Sequence, residues 1–321
     1  MQSFLYSMYL YIMKNMRHQL LLALLAWTTM VYADGDYYAV IVSGGRSKLF
    51  NHERYWNDCA FLYRTLRQKY IIPKDHITLL MADGDNSSTD MLCDGAAGFA
   101  SSPTDLDNDG MADLTLAATR QNLNNSFRQL STMLTASDHL FLFITDHGER
   151  SSDGNVCLWM WGDEQLTPDE LAAMVNQCHP ATMNILLGQC HAGAFIAPLL
   201  GEGRIITAAC TADQMSWSSP ARPYDEFVYH WTCAIAGHDE YNQPIDADYD
   251  GDGIINMQEA YDYACLHDCR PETPCIIGMP ENFASGWSFS CRRINNDIIF
   301  PNSTSSKTIY NLHGQKRICK P

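Results

Sequence analysis

The sequence predicts an α/β fold built on a mostly parallel sheet, and two stretches carry most of that prediction. They read DHLFLFITDHG at 138–148 and TMNILLGQCHAG at 182–193. In each, an unbroken apolar run stops at a polar residue, and glycine follows at once or three residues later. Such runs are typical of strands that are buried on both faces by helices. As a third observation, strand and helix patterns alternate along the chain, which favours βαβ units.

The first part of the chain supplies two further strands. Tyr37–Ser43 predicts the opening strand, and the apolar spacing of residues 54–69 predicts a helix. Ile77–Met81 predicts the second strand, and the polar segment 82–104 that follows is too long for an ordinary connection. We therefore expect an insertion there, close to the functional site.

The elements on either side of the two central strands follow the same logic. Residues 123–134 predict a helix, and the apolar 157–161 segment predicts a short hairpin. Thr167-Pro-Asp-Glu170 combines a helix cap, a proline at the first helical position and two acids, so a helix should begin there and run to about Gln177. Residues 205–209 predict one more strand.

Length and charge limit the classes of protein that the chain can form. With 321 residues it is long enough for one large or two modest domains, and 46% hydrophobic with 18% charged residues indicates a globular chain. A formal net charge of −16 argues against nucleic acid and anionic membranes as partners.

The N-terminus has the pattern of a signal peptide over residues 1–33. Lys14 and Arg17 precede the apolar run 20–27, and Val31-Tyr-Ala33 offers a cleavage site. The alternative is a membrane anchor, but the run is shorter than the roughly 20 residues that a span requires. We expect a secreted, periplasmic or cell-surface protein with no stable membrane insertion after cleavage.

The twelve cysteines of an exported chain suggest disulfides. Cys265, Cys269, Cys275 and Cys291 lie close in sequence and are candidates to cross-link the C-terminal region. A zinc site is the alternative there, although the chain has no C-x-x-C pair.

His147 and Cys190 are the candidate catalytic residues because each follows one of the two buried strands. The carboxyl ends of parallel strands line the usual ligand crevice, and a thiol beside an imidazole is the minimum for nucleophilic acyl transfer. A helix beginning near Ala194 would lower the pKa of the thiol. The amides of Gly148 and Cys190 would form an oxyanion hole, in which one donor is worth roughly 2.7–4 kcal/mol. The alternatives are a small buried cysteine and a core histidine.

A strand ending in His-Gly, followed some forty residues later by one ending at the Cys190 motif, resembles the clan of caspases, legumains, gingipains and clostripain. The legumain-like peptidases of family C13 are the most similar. YAVIVSGG, Arg54 with Asp58, TDHGE and Thr207–Ser218 resemble further motifs of that family. The resemblance covers roughly residues 37–229 and implies a caspase-like three-layer αβα sandwich, with Cys190 as nucleophile and His147 as general acid and base. We expect the peptidase domain to span residues 34–300.

The resemblance also implies substrate-binding positions. Arg54 matches the arginine that lines the legumain pocket for Asn or Asp on the acyl side of the scissile bond, and a guanidinium suits either side chain. The alternative for Arg54 is a surface charge on a helix. Gln189 and Ser216 fall at the other implied substrate positions, although legumains carry Glu where Gln189 stands. They also carry Asn where this chain has His52, with Asn51 one residue further back.

Two acidic loops, at 105–116 and 248–259, predict one or two structural Ca²⁺ ions. The second matches D-x-D-x-D-G-x5-E in full, and the first has only the opening half of that pattern, with Leu116 at position twelve. The candidate ligands are Asp248, Asp250, Asp252, Ile254, Asn256 and Glu259 in one loop, and Asp105, Asp107, Asp109, Met111 and Asp113 in the other. Solvated acidic turns are the alternative. No organic cofactor is expected.

The sequence therefore predicts an exported cysteine endopeptidase that cleaves peptides or proteins through a Cys190 thioester, with Asn or Asp preferred on the acyl side. A transamidase would use the same acyl-enzyme, and a non-catalytic, calcium-stabilised binding module is the alternative from another class. Residues 301–321 resemble the start of a C-terminal sorting segment of exported Bacteroidetes proteins, or else form an ordinary tail.

Overall fold

A computed structural model describes residues 35–93 and 98–289, together with the backbone of three short strands further along the chain. The predicted signal peptide (1–33) lies outside these residues, and so do Cys291 and the side chains of the predicted tail (301–321).

The strands are, in chain order, β1 (Tyr37–Ser43), β2 (Ile77–Met81), β3 (Met91–Leu92), β4 (Phe99–Ala100), β5 (His139–Thr145), β6 (Gly148–Arg150), β7 (Val156–Met160), β8 (Glu164–Leu166), β9 (Thr182–Leu187), β10 (Arg204–Ala208), β11 (Cys275–Met279), β12 (Ile298–Ile299), β13 (Thr308–Tyr310) and β14 (Lys316–Ile318). The helices are α1 (Glu53–Gln68), α2 (Arg120–Met133), α3 (Pro168–Val175), α4 (Ile196–Leu199), α5 (Glu226–Ala236) and α6 (Met257–His267).

The central sheet has six strands in the order β11-β10-β9-β5-β1-β2. All neighbours are parallel except β11, which runs antiparallel to β10 at one edge. Helices α1, α5 and α6 cover one face, and α2, α3 and α4 cover the other, each over its own hydrophobic cluster. The predicted α/β fold, a three-layer αβα sandwich with a mostly parallel sheet, is confirmed.

Both faces of the central strands are buried, which explains why those strands read as continuous apolar runs. Along β5, alternate side chains from Leu140 to Ile144 enter opposite hydrophobic clusters, and all are at most 1% exposed. Helix α3 begins as its sequence predicts, because Thr167 and Glu170 form a reciprocal capping box with Pro168 at the first helical position.

Helix α5 was missed in the sequence because every one of its residues is buried. A helix that is buried all round has no polar stripe, so it carries no helical periodicity in its hydrophobic pattern. It packs against both α1 and α6, and its first residues reach the edge of the sheet where the candidate site lies.

Two smaller expectations need correction. The segment at 157–161 is not a simple hairpin, because its strand β7 is the middle strand of an antiparallel β6-β7-β8 sheet. The expected cross-links among Cys265, Cys269 and Cys275 are absent, and all ten cysteines in the described part of the chain are free thiols.

The polar segment after β2 forms a small β3–β4 hairpin that packs beside the start of α1. The Leu92 amide donates to the carbonyl of Asn51 at 2.8 Å, and the buried Asp90 carboxylate holds the Ser102 amide and hydroxyl at 2.6 and 2.7 Å. This insertion therefore supports the residues that precede α1. Among the described residues, none of the helices has the length and apolar character to cross a bilayer.

Candidate active site

The strands β5 and β9 deliver His147 and Cys190 to the same edge of the sheet. They are parallel neighbours in which Ile144 lies opposite Leu187, and the Gly188 amide donates to the Ile144 carbonyl at 2.7 Å. Three residues beyond this pair of residues, β5 leads to His147 and β9 leads to Cys190. Both residues line one cavity of about 180 Å³.

The imidazole of His147 is oriented by the backbone before α1. Its Nε2 lies 3.0 Å from the carbonyl oxygen of Phe50 and 3.4 Å from the Tyr55 hydroxyl. A carbonyl only accepts hydrogen bonds, so Nε2 carries a proton, and in the neutral imidazole the lone pair is on Nδ1. Asn51 does not orient the ring, since it is buried and its amide donates to the Asp90 carbonyl.

Asp146 fixes the backbone that presents His147. It has φ of 104°, a conformation that costs a non-glycine residue on the order of 1–3 kcal/mol. Its carboxylate accepts from the Ser43 hydroxyl at 3.0 Å, the Gly45 amide at 2.6 Å and the His147 amide at 2.7 Å. These three bonds tie the end of β5 to the end of β1 and offset that strain. Burial raises the pKa of the Asp146 carboxyl.

The Cys190 thiol is partly buried at the wall of the cavity. Its Sγ lies 3.5 Å from the carbonyl oxygen of Ser216. Burial raises the pKa of the thiol, although the nearby Gly148 amide acts in the opposite direction. The expected lowering by a helix is wrong, because Cys190 is followed by a 3-10 turn at Ala192–Phe195 and then by the four-residue α4. The thiol therefore depends on a base to lose its proton.

Gly148 allows the two strand ends to approach each other. A Cβ atom at this position would lie 2.0 Å from the carbonyl oxygen of Cys190. The oxygen belongs to the main chain, so no side-chain rotation could relieve this clash. Only glycine fits without a shift of the main chain. The glycine in the His-Gly pair thus keeps the Gly148 and Cys190 backbones in contact.

Arg54 lines the cavity from the first turn of α1, and its side chain is only 16% exposed. Its Nε donates to Asp225 at 2.9 Å and its Nη2 donates to the Tyr55 hydroxyl at 2.7 Å. The alternative of a surface charge is therefore wrong. Asp225 is buried and also accepts from the Thr145 hydroxyl at 3.2 Å. Burial raises the pKa of the Asp225 carboxyl even though Arg54 opposes that shift.

The two other predicted substrate-binding residues, Ser216 and Gln189, differ in whether they line the cavity. Ser216 lines the cavity, next to Cys190. Gln189 does not, because its side chain is fully buried, behind Gly148, and both of its amide atoms lack a hydrogen-bond partner among the described residues. The prediction that Gln189 contacts substrate is wrong for this arrangement. One residue further on, Cys190 does line the cavity.

Several residues of the cavity wall were missed in the sequence. Asp146, Asp225, Tyr55 and Trp217 all line it. Asp146 belongs to the TDHGE motif, but nothing in the sequence distinguishes it from a turn former. Asp225 occupies the N-cap position of a helix whose hydrophobic pattern has no periodicity, so the sequence revealed neither the helix nor where it begins.

The acidic loops bring together only part of the predicted ligand set. One carboxylate oxygen from each of Asp248, Asp250 and Asp252 lies within 4.8 Å of the others, and the same holds for Asp105, Asp107 and Asp109. In the second loop, Asn256 and Glu259 instead form the capping box of α6. Glu259 also accepts from the Tyr249 and Asp250 amides at 2.9 and 3.2 Å.

Asp113, a predicted ligand of the first loop, serves the protein interior. Its buried carboxylate pairs with Lys74 at 2.6 Å and accepts from the Tyr63 hydroxyl at 2.8 Å. The Met111 and Ile254 amides donate to the preceding aspartates Asp109 and Asp252, which shapes both loops alike. The structure thus assembles three aspartates per loop and assigns Asp113, Asn256 and Glu259 to other contacts.

A thiol and an oriented imidazole at adjacent ends of a caspase-like sheet define the class of cysteine hydrolases. Residues 37–250, about two thirds of the chain, match the family model described as the Peptidase C13 family. The chain therefore belongs to the legumain-like peptidase C13 family, as the motifs around His147 and Cys190 predict. This membership implies a cysteine-type peptidase that acts on peptides or proteins. No curated protein matches the chain.

Proposed function

We propose that the chain is an exported cysteine endopeptidase that hydrolyses peptide bonds through a thioester on Cys190. The observation that carries the proposal is the shared cavity, in which a partly exposed thiol and an imidazole of defined tautomer extend from neighbouring strands. The N-terminal pattern at 1–33 supports export to the periplasm, the cell surface or the medium.

The order of steps follows from the protonation states. Nδ1 of His147 takes the thiol proton as Cys190 attacks the scissile carbonyl, because the thiol is mostly neutral before substrate arrives. The amides of Gly148 and Cys190 stabilise the oxyanion. His147 then returns the proton to the leaving amine and leaves a thioester. Water, deprotonated by the same imidazole, hydrolyses the thioester and releases the acid.

Replacing Cys190 with alanine should lower kcat/KM for peptide hydrolysis by at least about 10⁴-fold, because Cys190 is the cysteine that lines the cavity among the described residues. The measurement is cleavage of a fluorogenic peptide by the purified mature chain. Cys157→Ala is the matched control, since it removes another partly exposed thiol and should leave turnover unchanged. Turnover that survives in Cys190→Ala would leave the non-catalytic binding module as the better account.

The acyl-side preference follows from the Arg54–Asp225 pair at the cavity wall. An asparagine amide offers a carbonyl to the guanidinium and an NH₂ to the Asp225 carboxylate, so both protein groups gain a partner. An aspartate side chain offers only acceptor oxygens, and Asp225 repels it unless one carboxyl is protonated. We therefore propose a preference for Asn, with cleavage after Asp increasing as the pH falls.

The preference can be measured by comparing the cleavage of two peptides that differ only in having Asn or Asp on the acyl side of the scissile bond. The kcat/KM ratio of Asn to Asp should exceed about tenfold at neutral pH and should shrink under acid conditions, because the raised pKa of Asp225 favours its protonation there. Arg54→Lys should remove most of the discrimination, since an ammonium lacks the planar fork. Arg128→Lys, on the exposed face of α2, is the control. Equal rates for both peptides at every pH would refute the assignment.

We also propose one or two structural Ca²⁺ ions, with no organic cofactor. The support is the full calcium-loop pattern at 248–259 and the matching geometry of the two aspartate triads. Carboxylates suit a hard cation, and a bound ion would relieve their mutual repulsion. Ligands beyond the aspartates would come from backbone carbonyls and water, because Glu259 is engaged in the cap of α6.

Chelation should lower the melting temperature by about 5 °C, the size expected for an ion held at a large excess over its Kd. The measurement is thermal unfolding with calcium and with a calcium chelator. Asp250→Asn should abolish the difference contributed by the 248–259 loop, whereas Asp262→Asn, an exposed acid on α6, should preserve it. Identical melting of the unmodified chain in both buffers would remove the calcium proposal.

A further inference from the structure

The wall of the cavity that holds Ser216 is tied to a segment outside the family-matching region 37–250. The Trp217 amide donates to Oε2 of Glu272 at 3.1 Å. The side chain of Gln214 accepts from the Thr273 amide at 3.0 Å and donates to the Thr273 hydroxyl at 3.1 Å. Residues 214–217 are therefore joined to residues 272–273 by three hydrogen bonds.

This wall also contacts the nucleophile. The Ser216 carbonyl lies 3.5 Å from Cys190 Sγ, and the Ser216 side chain lies close enough to the Glu272 carboxyl to lower its pKa. The His191 amide donates to the Gln214 carbonyl at 2.9 Å. A displacement of Glu272 would thus move Ser216, and with it the substrate side of the cavity, without a change at His147.

Glu272 meets a second carboxyl, that of Asp268, at the back of this wall. Asp268 Oδ1 accepts from the Arg270 amide at 2.8 Å, and Glu272 Oε2 accepts from Trp217. The two remaining oxygens, Glu272 Oε1 and Asp268 Oδ2, are buried and have no hydrogen-bond partner in the described part of the chain. Two carboxylates cannot bond each other, but a carboxylic acid and a carboxylate can.

We propose that Glu272 and Asp268 share one proton, and that this neutralised pair is the positioning device that holds the Ser216–Trp217 wall against the cavity. A single proton between Glu272 Oε1 and Asp268 Oδ2 satisfies both orphaned oxygens. It also leaves Glu272 Oε2 free to accept from the Trp217 amide. Glu272 thus sets how well the cavity binds the acyl side of a substrate.

The charges around the pair favour retention of that proton. Burial, followed by the nearby Asp268, raises the pKa of Glu272 to about 9, and burial also raises the pKa of Asp268. Asp225 and Glu226, at the start of α5, add negative charge nearby. Arg270, with Cζ 5.1 Å from the Trp217 ring centroid, acts in the opposite direction and lowers the pKa of Asp268.

The sign of the pH dependence follows from the raised pKa. The folded chain holds the proton more tightly than the unfolded chain, so the stabilising effect is complete below the ordinary glutamate range. It is lost as the pH rises through about 9. Above that pH, two adjacent carboxylates repel each other, and the Ser216–Trp217 wall loosens.

The test compares Glu272→Gln with the unmodified chain. Glutamine keeps a carbonyl for the Trp217 amide and supplies an NH₂ to Asp268 at every pH, so it imitates the protonated pair permanently. Peptide KM should be the same for both chains near pH 6. Near pH 9.5 it should be about fivefold higher for the unmodified chain, the factor that one net hydrogen bond is worth. Glu281→Gln, an exposed glutamate of the same segment, is the control and should behave like the unmodified chain.

A second variant separates positioning from titration. Glu272→Ala removes both the acceptor and the shared proton, so KM should rise at both pH values, and Glu272→Gln should restore it. The inference is overturned if Glu272→Gln follows the unmodified chain across the whole pH range. It is also overturned if Glu272→Ala folds and keeps the original KM.

The kinetic part rests on the proposed function, so a measurement without substrate accompanies it. Amide hydrogen exchange of the 214–217 segment, compared between chains at one alkaline pH, should be slower in Glu272→Gln than in the unmodified chain. Slower exchange in a chain that cleaves no peptide would support the shared proton and reject the peptidase. Equal exchange together with normal cleavage would reject the shared proton and support the peptidase.

Discussion

The in-register parallel pairing of β5 with β9 is the constraint on which the site depends. Both strands are buried on both faces, so a slip of one residue would send every side chain into the wrong hydrophobic cluster. The cores on the two faces thereby fix the register, and the register fixes His147 and Cys190 at equal distances beyond it. Catalytic placement is in this sense a by-product of core packing, and Gly148 supplies the close backbone contact that completes it.

Elements distant in sequence then convert that placement into a working geometry. The carbonyl of Phe50 selects the tautomer of His147, and Asp146 holds the strained turn before it. Arg54 and Asp225 place opposite charges at the cavity wall, largely out of water. A buried ion pair gains little net stability, so we attribute its presence to the proposed recognition of a polar side chain and not to folding. Burial raises the pKa of the thiol, so its proposed reactivity depends on the imidazole.

What the sequence could predict was limited to features with a local signature. The apolar runs identified β1, β2, β5 and β9, and the motifs at their ends identified His147 and Cys190. Features that arise from contacts distant in sequence were not accessible: α5 has no polar stripe, Asp225 meets Arg54 from 171 residues away, and Glu272 lies beyond every recognised motif. The inward turn of Gln189 depends on an alternation after β9 that the sequence does not reveal. Similarly, the pattern at 248–259 identified an acidic loop but not that Glu259 would cap α6.

The central claim is that Cys190 carries the acyl group during turnover, and the most direct measurement is the mass of the enzyme stopped in acid while it hydrolyses a peptide ester. The account predicts a chain heavier by the acyl fragment of the substrate, at no more than one group per chain, with the added mass mapping to the peptide that contains Cys190. Continued turnover with no added mass would contradict the account, and so would an acyl group mapped to another thiol such as Cys157.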